Sequence, residues 1–536
     1  MNNIKFNRFG IMLDVSRNAV MNVNALKKYI DIMARLGYNC LMLYTEDTYE
    51  IKSQPYFGHK RGRYTEQEIK EIDSYAISKG IELMPCIQTL AHLNAIMRWP
   101  VYGEIRDCDD ILLSGDDRTY ALIEEMFKTI SENFTSKTVN IGMDEAHMLG
   151  KGKYQEINGY ENRFDILLKH LNKVSEIAKK YDLELLMWGD MFFRLINNGN
   201  YEQSLGGVPD YISDMIPSNV SLIYWDYYST KYENYNVKIK AHKAVKDNIW
   251  FAGGLWSWCG LIPHNDYSIR ATKAAIDACR DNNVKDVILT LWGDDGAECS
   301  KFSLLPSMYY AAQLAKGITD ENTIKSGFEK EFNIKFDEFM AIDLLGTPNE
   351  NESIINSDKY FLYNDCFMGL FDNLEKEEYR EDFKKAADKL EQIDSSNEFY
   401  YVFDSAKKLL KLLSVKTNIA NRTRKAYFDK DIDSLKRIVS EYDELLVLLE
   451  EFYDAFEKQW MIENKPHGFD VQDIRLGGLL LRAKHCKNRL NKFISGEIEE
   501  IAELCEPPLD FFGREPEQSS LVLYNKWGNT ATPNNI

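Results

Sequence analysis

No apolar run in the 536-residue chain approaches the roughly 20 residues that a membrane-spanning helix needs. The start, MNNIKFNRFGIMLDV, lacks the basic, then apolar, then small-residue order of a secretion signal, so a cytoplasmic protein without membrane association is expected. Cysteine offers no framework: the nine residues are odd in number, scattered and free of Cys-x-x-Cys spacing, and read as reduced core residues rather than disulfides or zinc ligands. The eight histidines form no His-x-His or His-Glu-x-x-His pattern, so neither a metal nor another cofactor is expected. Positive charge is also short. Against 84 Asp and Glu stand 65 Lys and Arg, and the net charge of -19 repels phosphates, which argues against nucleic acid or an anionic membrane as a partner. Finally, no Gly-x-Gly-x-x-Gly turn follows the first apolar run, where FGIMLDVSRN places an acid and an arginine instead; this disfavours a doubly wound dinucleotide-binding sheet.

What the chain does contain is ample core material, 44% hydrophobic residues with 28% charged, in an alternating pattern. Eight short apolar runs read as strands: Phe9 to Val15, Asn39 to Thr45, Ile81 to Ile87, Thr138 to Asp144, Glu184 to Asp190, Ser221 to Tyr227, Ile249 to Trp256 and Asp286 to Asp294. Between them lie segments with helical periodicity, including Asn24 to Leu36, Thr65 to Lys79, Arg118 to Asn133, Arg163 to Lys180 and Tyr267 to Asp281. Eight strand-helix units over this length predict an α/β fold, a (β/α)8 TIM barrel, over residues 1–317. After Gly317 strands cease and long charged helices follow, which predicts an all-α C-terminal domain over 318–536. There Ser395 and Ser396 are expected to cap a helix running through Leu413, and Leu435 to Phe456 keep the helical period. Gly477-Gly478 suggests a kink, and Trp527 suggests that the last segment is anchored. This helical part is expected either to brace the barrel or to form a subunit contact, which leaves a homodimer open.

Active sites of TIM barrels lie at the carboxyl ends of the strands, and polar residues collect there. The predicted tips supply Asp14 and Arg17, Glu46 and Asp47, Gln88 and His92, Asp144 and Glu145, Trp188 and Asp190, Tyr224 and Asp226, Trp256 and Trp258, and Trp292, Asp294 and Asp295. Tryptophan is a poor filler for a barrel that favours Val, Ile and Leu, so indoles at successive tips suggest a pocket with flat walls. Flat apolar faces among carboxylates and an arginine suit a pyranose, whose C-H face stacks while its hydroxyls are hydrogen bonded. The sharpest feature is TVNIGMDEAH (Thr138 to His147), which delivers two adjacent acids at a strand end. Most glycosidases need two acids straddling the scissile bond, roughly 5 to 9 Å apart. Neighbours at one tip do not straddle a bond. Either a partner acid comes from another strand, or the substrate supplies its own nucleophile, a 2-acetamido group that one acid orients while the other protonates the leaving oxygen.

DVSRN at the first tip, GMDEAH at the fourth, YWD at the sixth and LWGD at the eighth together resemble family-20 glycoside hydrolases, the β-N-acetylhexosaminidases, over roughly residues 8 to 316. The chain departs from the family's Gly-Gly-Asp-Glu by carrying Met143 at the second glycine, as in a divergent branch, and no N-terminal α/β domain of the kind many members carry is expected. The resemblance implies an exo-acting, retaining, substrate-assisted enzyme that removes terminal β-linked N-acetylglucosamine, or N-acetylgalactosamine, from a small oligosaccharide or glycoconjugate. Asp144 would polarise the acetamido N-H and Glu145 would serve as general acid, then base. Arg17 would grip hydroxyls at the far side of the ring, Tyr224 and Asp226 would match the strand-6 Tyr-x-Asp whose tyrosine binds the acetamido carbonyl, and Trp292 and Asp294 the strand-8 pair. Trp188 and Trp256 would wall the acetamido pocket or floor the sugar; Asp47 and His92 would complete the set. Two other classes fit the residues: an ordinary retaining β-glycosidase, and a sugar-binding protein without turnover.

Overall fold

The computed structural model describes residues 4–345 except 198, 202–207 and 209, together with 357–511, 513 and 526–536. Its centre is a closed barrel of eight parallel strands: β1 (Arg8–Asp14), β2 (Cys40–Tyr44), β3 (Glu82–Cys86), β4 (Thr138–Asn140), β5 (Glu184–Trp188), β6 (Val220–Trp225), β7 (Ile249–Gly254) and β8 (Asp286–Leu291). Each strand pairs with its sequence neighbours, and β8 closes on β1 from Arg8 opposite Asp286 to Leu13 opposite Leu291. The fold is therefore a TIM barrel with a helical C-terminal region.

The strands read as continuous apolar runs because both faces are covered. Met12, Cys40, Met42, Met84, Cys86, Leu186, Trp188, Ile223 and Ile288 fill the barrel interior. The alternate residues, such as Ile11, Leu13, Leu41, Leu83, Leu185, Leu222 and Tyr224, pack outward against the helical layer. That layer includes α1 (Val23–Leu36), α2 (Glu66–Ser78), α3 (Asp117–Asn133), α4 (Arg163–Lys179), α5 (Tyr232–Val245), α6 (Asn265–Asp281) and α7 (Leu305–Ala315). Their starts follow local chemistry. Asn22 accepts from the Ala25 N–H ahead of α1, and Thr65 and Glu68 form a reciprocal capping box on α2. The loop between β5 and β6 carries only two short helices among the described residues, the first being Asp190–Arg194 directly at the tip of β5.

Three expectations need correction. β4 ends at Asn140 rather than Asp144, because Gly142 and Met143 take φ of +73° and +67°, which no strand continues through. In the C-terminal region, α8 (Glu378–Leu390) is followed by α9 (Tyr400–Lys416), α10 (Ile432–Glu463) and α11 (Phe469–Ile494). Ser395 and Ser396 are not caps: Ser396 donates its N–H to Asp394 in a turn, and α9 begins four residues later without a side-chain cap. α11 runs unbroken through Gly477-Gly478, and Trp527 is held by a hydrogen bond from its N–H to Asp295 Oδ2, 2.8 Å. No helix among the described residues is long and apolar enough to cross a membrane.

Candidate active site

The segment after β4 is bent rather than extended, and the bend aims both acids into the mouth of the barrel. Gly142 is required there: a Cβ would sit 2.0 Å from Gln88 Oε1. Met143 and Glu145 hold left-handed backbone, φ +67° and +51°, a conformation that side chains disfavour and that persists where neighbours over-determine it. Gln88, from the loop after β3, is such a neighbour: its Oε1 accepts the Met143 N–H at 3.2 Å and its Nε2 donates to Asp144 Oδ1 at 2.8 Å. Glu145 is pinned by its own N–H, which donates to Asp190 Oδ2 at 3.1 Å.

The two acids are treated differently. Asp144 is 8% exposed and its Oδ2 lies 3.2 Å from His92 Nε2. Burial pushes the Asp144 carboxyl up, but the His92 charge and the donors from His92 and Gln88 outweigh it, so it stays below the usual carboxylate range. Burial pulls His92 down, but Asp144 reverses this and pushes it up to about 10. The pair is thus a buried carboxylate-imidazolium couple. Glu145 is more open, its side chain 39% exposed; Oε2 is 3.9 Å from His92 Nε2, and Oε1 accepts from Arg194 Nη2 at 3.2 Å. Arg194 in turn donates to Asp190 Oδ2 at 2.9 Å. Asp190 is fully buried, and burial together with Asp144 raises it to about 7 despite Arg194. On the far side, Arg17 bridges Glu46 Oε1 at 3.0 Å and Asp294 Oδ1 at 2.5 Å.

Arg17, His92, Asp144, Glu145 and Asp294 line one pocket, walled by Trp188, Trp225, Tyr227, Trp258 and Trp292, with Tyr228 at its rim. Among the described residues, Trp188 Nε1 is buried without an acceptor and so remains free to serve a bound ligand. Of the residues singled out from sequence, Arg17, His92, Asp144, Glu145, Trp188, Trp258, Trp292 and Asp294 meet here.

Four others do not line the pocket. Asp47 is turned away and bonded to Arg61; its neighbour Glu46, at φ +46°, reaches Arg17 instead. Tyr224 lies on the outward face of β6, its ring against His242 and Phe251 and its hydroxyl donating to Asp226 Oδ2. Asp226 binds Lys238 Nζ at 2.7 Å and borders an adjoining cleft. Trp256 stacks on Trp258 at 3.8 Å between centroids, one layer behind the wall.

Gln88, expected at the third tip without a role, supports Asp144 from behind the pocket, while Trp225, Tyr227 and Arg194 were not among the tip residues expected from sequence. For Trp225 a signal existed: strand alternation puts it on the same inward face as Ile223, with Tyr224 on the other. Nothing local marks Arg194, which is placed by the short helix after β5.

The profile of the glycosyl hydrolase family 20 catalytic domain matches residues 6–246, and that of the glycoside hydrolase 20C C-terminal domain matches residues 337–523. Hexosaminidase D of Bos taurus is 25% identical over 228 residues, 39% of this chain and 60% of that protein. Hexosaminidase D of Homo sapiens is 20% identical over 349 residues, 61% of this chain and 68% of that protein. The chain therefore spans about 60% of the bovine relative's length. Among solved structures, a GH20 exo β-N-acetylglucosaminidase from Vibrio harveyi is similar over 64% of this chain and 59% of that chain, at 15% identity and a TM-score of 0.47. With one family-20 profile on the barrel and another on the helical region, the chain belongs to glycoside hydrolase family 20.

Proposed function

We propose that the protein is an exo-acting β-N-acetylhexosaminidase that uses the substrate's own acetamido oxygen as nucleophile. One observation carries this reading: Asp144 and Glu145 serve the same edge of one aromatic pocket, while the carboxylate opposite, Asp294, is already bonded to Arg17. No unpaired acid stands across the pocket among the described lining residues, so a double-displacement nucleophile is missing and an acetamido group fills the role.

In the first step Asp144, kept anionic by His92 and Gln88, accepts the acetamido N–H and turns the carbonyl oxygen toward the anomeric carbon. Positive charge grows on that N–H as the ring closes, so the hydrogen bond strengthens where the barrier lies. Glu145, the more open acid, gives its proton to the leaving oxygen. In the second step Glu145 takes a proton from water, which attacks the anomeric carbon, reopens the cyclised intermediate and leaves the configuration retained. Tyr227, whose hydroxyl faces Trp292 and Thr290 and feels the Asp144 charge, replaces Tyr224 as the group suited to the acetamido carbonyl. Trp225, Trp258 and Trp292 enclose the methyl, and Arg17 with Glu46 and Asp294 grips ring hydroxyls at the other end.

The test compares hydrolysis of aryl β-N-acetylglucosaminide, aryl β-N-acetylgalactosaminide and aryl β-glucoside, with a thiazoline mimic of the cyclised intermediate as inhibitor. Turnover of the acetamido sugars alone, with tight thiazoline inhibition, supports the reading. Comparable turnover of the glucoside favours an ordinary retaining glycosidase, and binding without turnover favours a lectin-like role.

A further inference from the structure

The loop that follows Asp294 is strained. Asp295, Gly296 and Ala297 take φ of +57°, +122° and +52°, so three successive residues sit in left-handed space and two of them carry side chains. Such backbone is disfavoured for the two residues with side chains and survives only where surrounding groups hold it. Here those groups come from the helical region. Lys359, whose side chain is fully buried, bonds Asp295 Oδ2 and Glu298 Oε2, each at 2.7 Å, and the Asp295 carbonyl at 2.6 Å. Arg475 of α11 donates to the Asp295 carbonyl and to Glu298 Oε1, each at 2.8 Å, and to Asp295 Oδ1 at 3.2 Å. The Trp527 backbone N–H donates to Asp295 Oδ2, the oxygen that also receives Lys359, and the Trp527 ring lies under the Arg475 guanidinium, 5.3 Å from centroid to charge. Two cations therefore meet two acids in a buried, balanced cluster built across the junction of the two parts.

The same helices hold the other half of the hydroxyl grip. The turn between α10 and α11 pairs with the loop after β1: the Asn22 N–H donates to the Glu463 carbonyl at 2.9 Å, and the Lys465 N–H donates to the Val20 carbonyl at 2.8 Å. That loop carries Arg17, the partner of Asp294.

We propose that the helical region is a positioning element for substrate recognition: Arg475, Lys359 and Trp527 clamp the loop after β8 so that Asp294, tied to Arg17, meets the sugar hydroxyls at a set distance. The proposal rests on reading the pocket as a hexosaminidase site. These residues do not touch the sugar, and they act through Asp294. Loss of the clamp weakens a contact made equally in the bound and reacting states, so KM changes and kcat does not.

The test uses the full chain and the variants Trp527→Ala, Arg475→Met and the conservative Trp527→Phe. Kinetics are measured on aryl β-N-acetylglucosaminide and its 4-deoxy and 6-deoxy analogues, and hydrogen exchange is followed in peptides covering 293–298 and 184–188. Trp527→Ala and Arg475→Met are expected to raise KM about 3- to 10-fold with kcat within about 2-fold of the parent. The penalty is expected to shrink on whichever deoxy analogue lacks the hydroxyl held by Asp294. Exchange should accelerate at 293–298 and not at 184–188, and Trp527→Phe should behave as the parent. Parental KM and parental exchange in both variants overturn the proposal, as does an equal loss on all three substrates with faster exchange throughout. If the parent hydrolyses no aryl N-acetylhexosaminide, the functional reading falls, and local exchange at 293–298 then decides the clamp by itself, parental exchange overturning it.

Discussion

Replacing Asp144 by Asn is the most discriminating perturbation of the proposed mechanism, because it removes one charge with almost no change of shape. In the parent, Oδ1 accepts from Gln88 Nε2 at 2.8 Å and Oδ2 faces His92 Nε2 at 3.2 Å. An amide has one acceptor and one donor. Whichever way it turns, its NH2 meets either the Gln88 donor or the His92 imidazolium, and the side chain loses one of its two supports. The acetamido N–H then faces a neutral carbonyl, if it faces an acceptor at all. Removing one preorganised group that stabilises developing charge costs about 2.7–4 kcal/mol, about 10²- to 10³-fold. Asp144→Asn should therefore lower kcat/KM on aryl β-N-acetylglucosaminide by about that factor, and weaken a thiazoline mimic of the intermediate by a similar one. The melting temperature at neutral pH serves as the check on folding. A variant that keeps kcat/KM within tenfold of the parent, or that binds the thiazoline equally well, refutes substrate assistance by Asp144.

Other outcomes follow from the same geometry. Glu145→Gln should cut turnover about 10²- to 10⁴-fold for substrates with poor leaving groups, and much less in the first step for an activated aryl group that needs no proton, read from a leaving-group series. Tyr227→Phe should reduce kcat/KM at least about tenfold, whereas Tyr224→Phe should leave kinetics near parental and lower stability by about 1–3 kcal/mol through the lost bond to buried Asp226, read by urea unfolding. The reverse pattern would restore Tyr224 as the ligand. The Asp144-His92 couple also makes stability depend on pH. His92, raised from 6.5 to about 10, stabilises the fold fully below about pH 6.5 and loses that contribution as pH rises through about 10. Asp144, lowered, contributes above its unfolded value near 3.8 and loses it as pH falls further. Melting temperatures of the parent should thus drop from pH 6.5 to 10 more than those of Asp144→Asn; equal slopes would deny the couple. Gly142→Ala should impair activity and folding alike, since its Cβ meets Gln88, and soluble, fully active protein would contradict the tight approach.

Much of this protein was determined by short-range pattern alone. Continuous apolar runs separated by amphipathic segments specify parallel strands covered on both faces, and eight of them close a barrel whose carboxyl ends must hold the site. The Asp144-Glu145 pair, Arg17, Trp188 and Trp292 were legible because acids, an arginine or indoles at strand tips conflict with a simple core. Where the chain leaves a strand, that logic fails. Tyr224 and Tyr227 are three residues apart, and only the β6 pleat and the turn after it decide that one ring faces the helices and the other the sugar pocket. Glu46 and Asp47 are adjacent acids, and a single left-handed φ at Glu46 assigns one to Arg17 and the other to Arg61. Gln88, Asp190 and Arg194 hold the two acids from other segments, and Arg475, Lys359 and Trp527 reach Asp295 from far along the chain. Such partnerships depend on three-dimensional proximity between distant segments, which periodicity and spacing do not encode; tertiary packing alone turns a strand tip with two acids into an oriented, charge-tuned site.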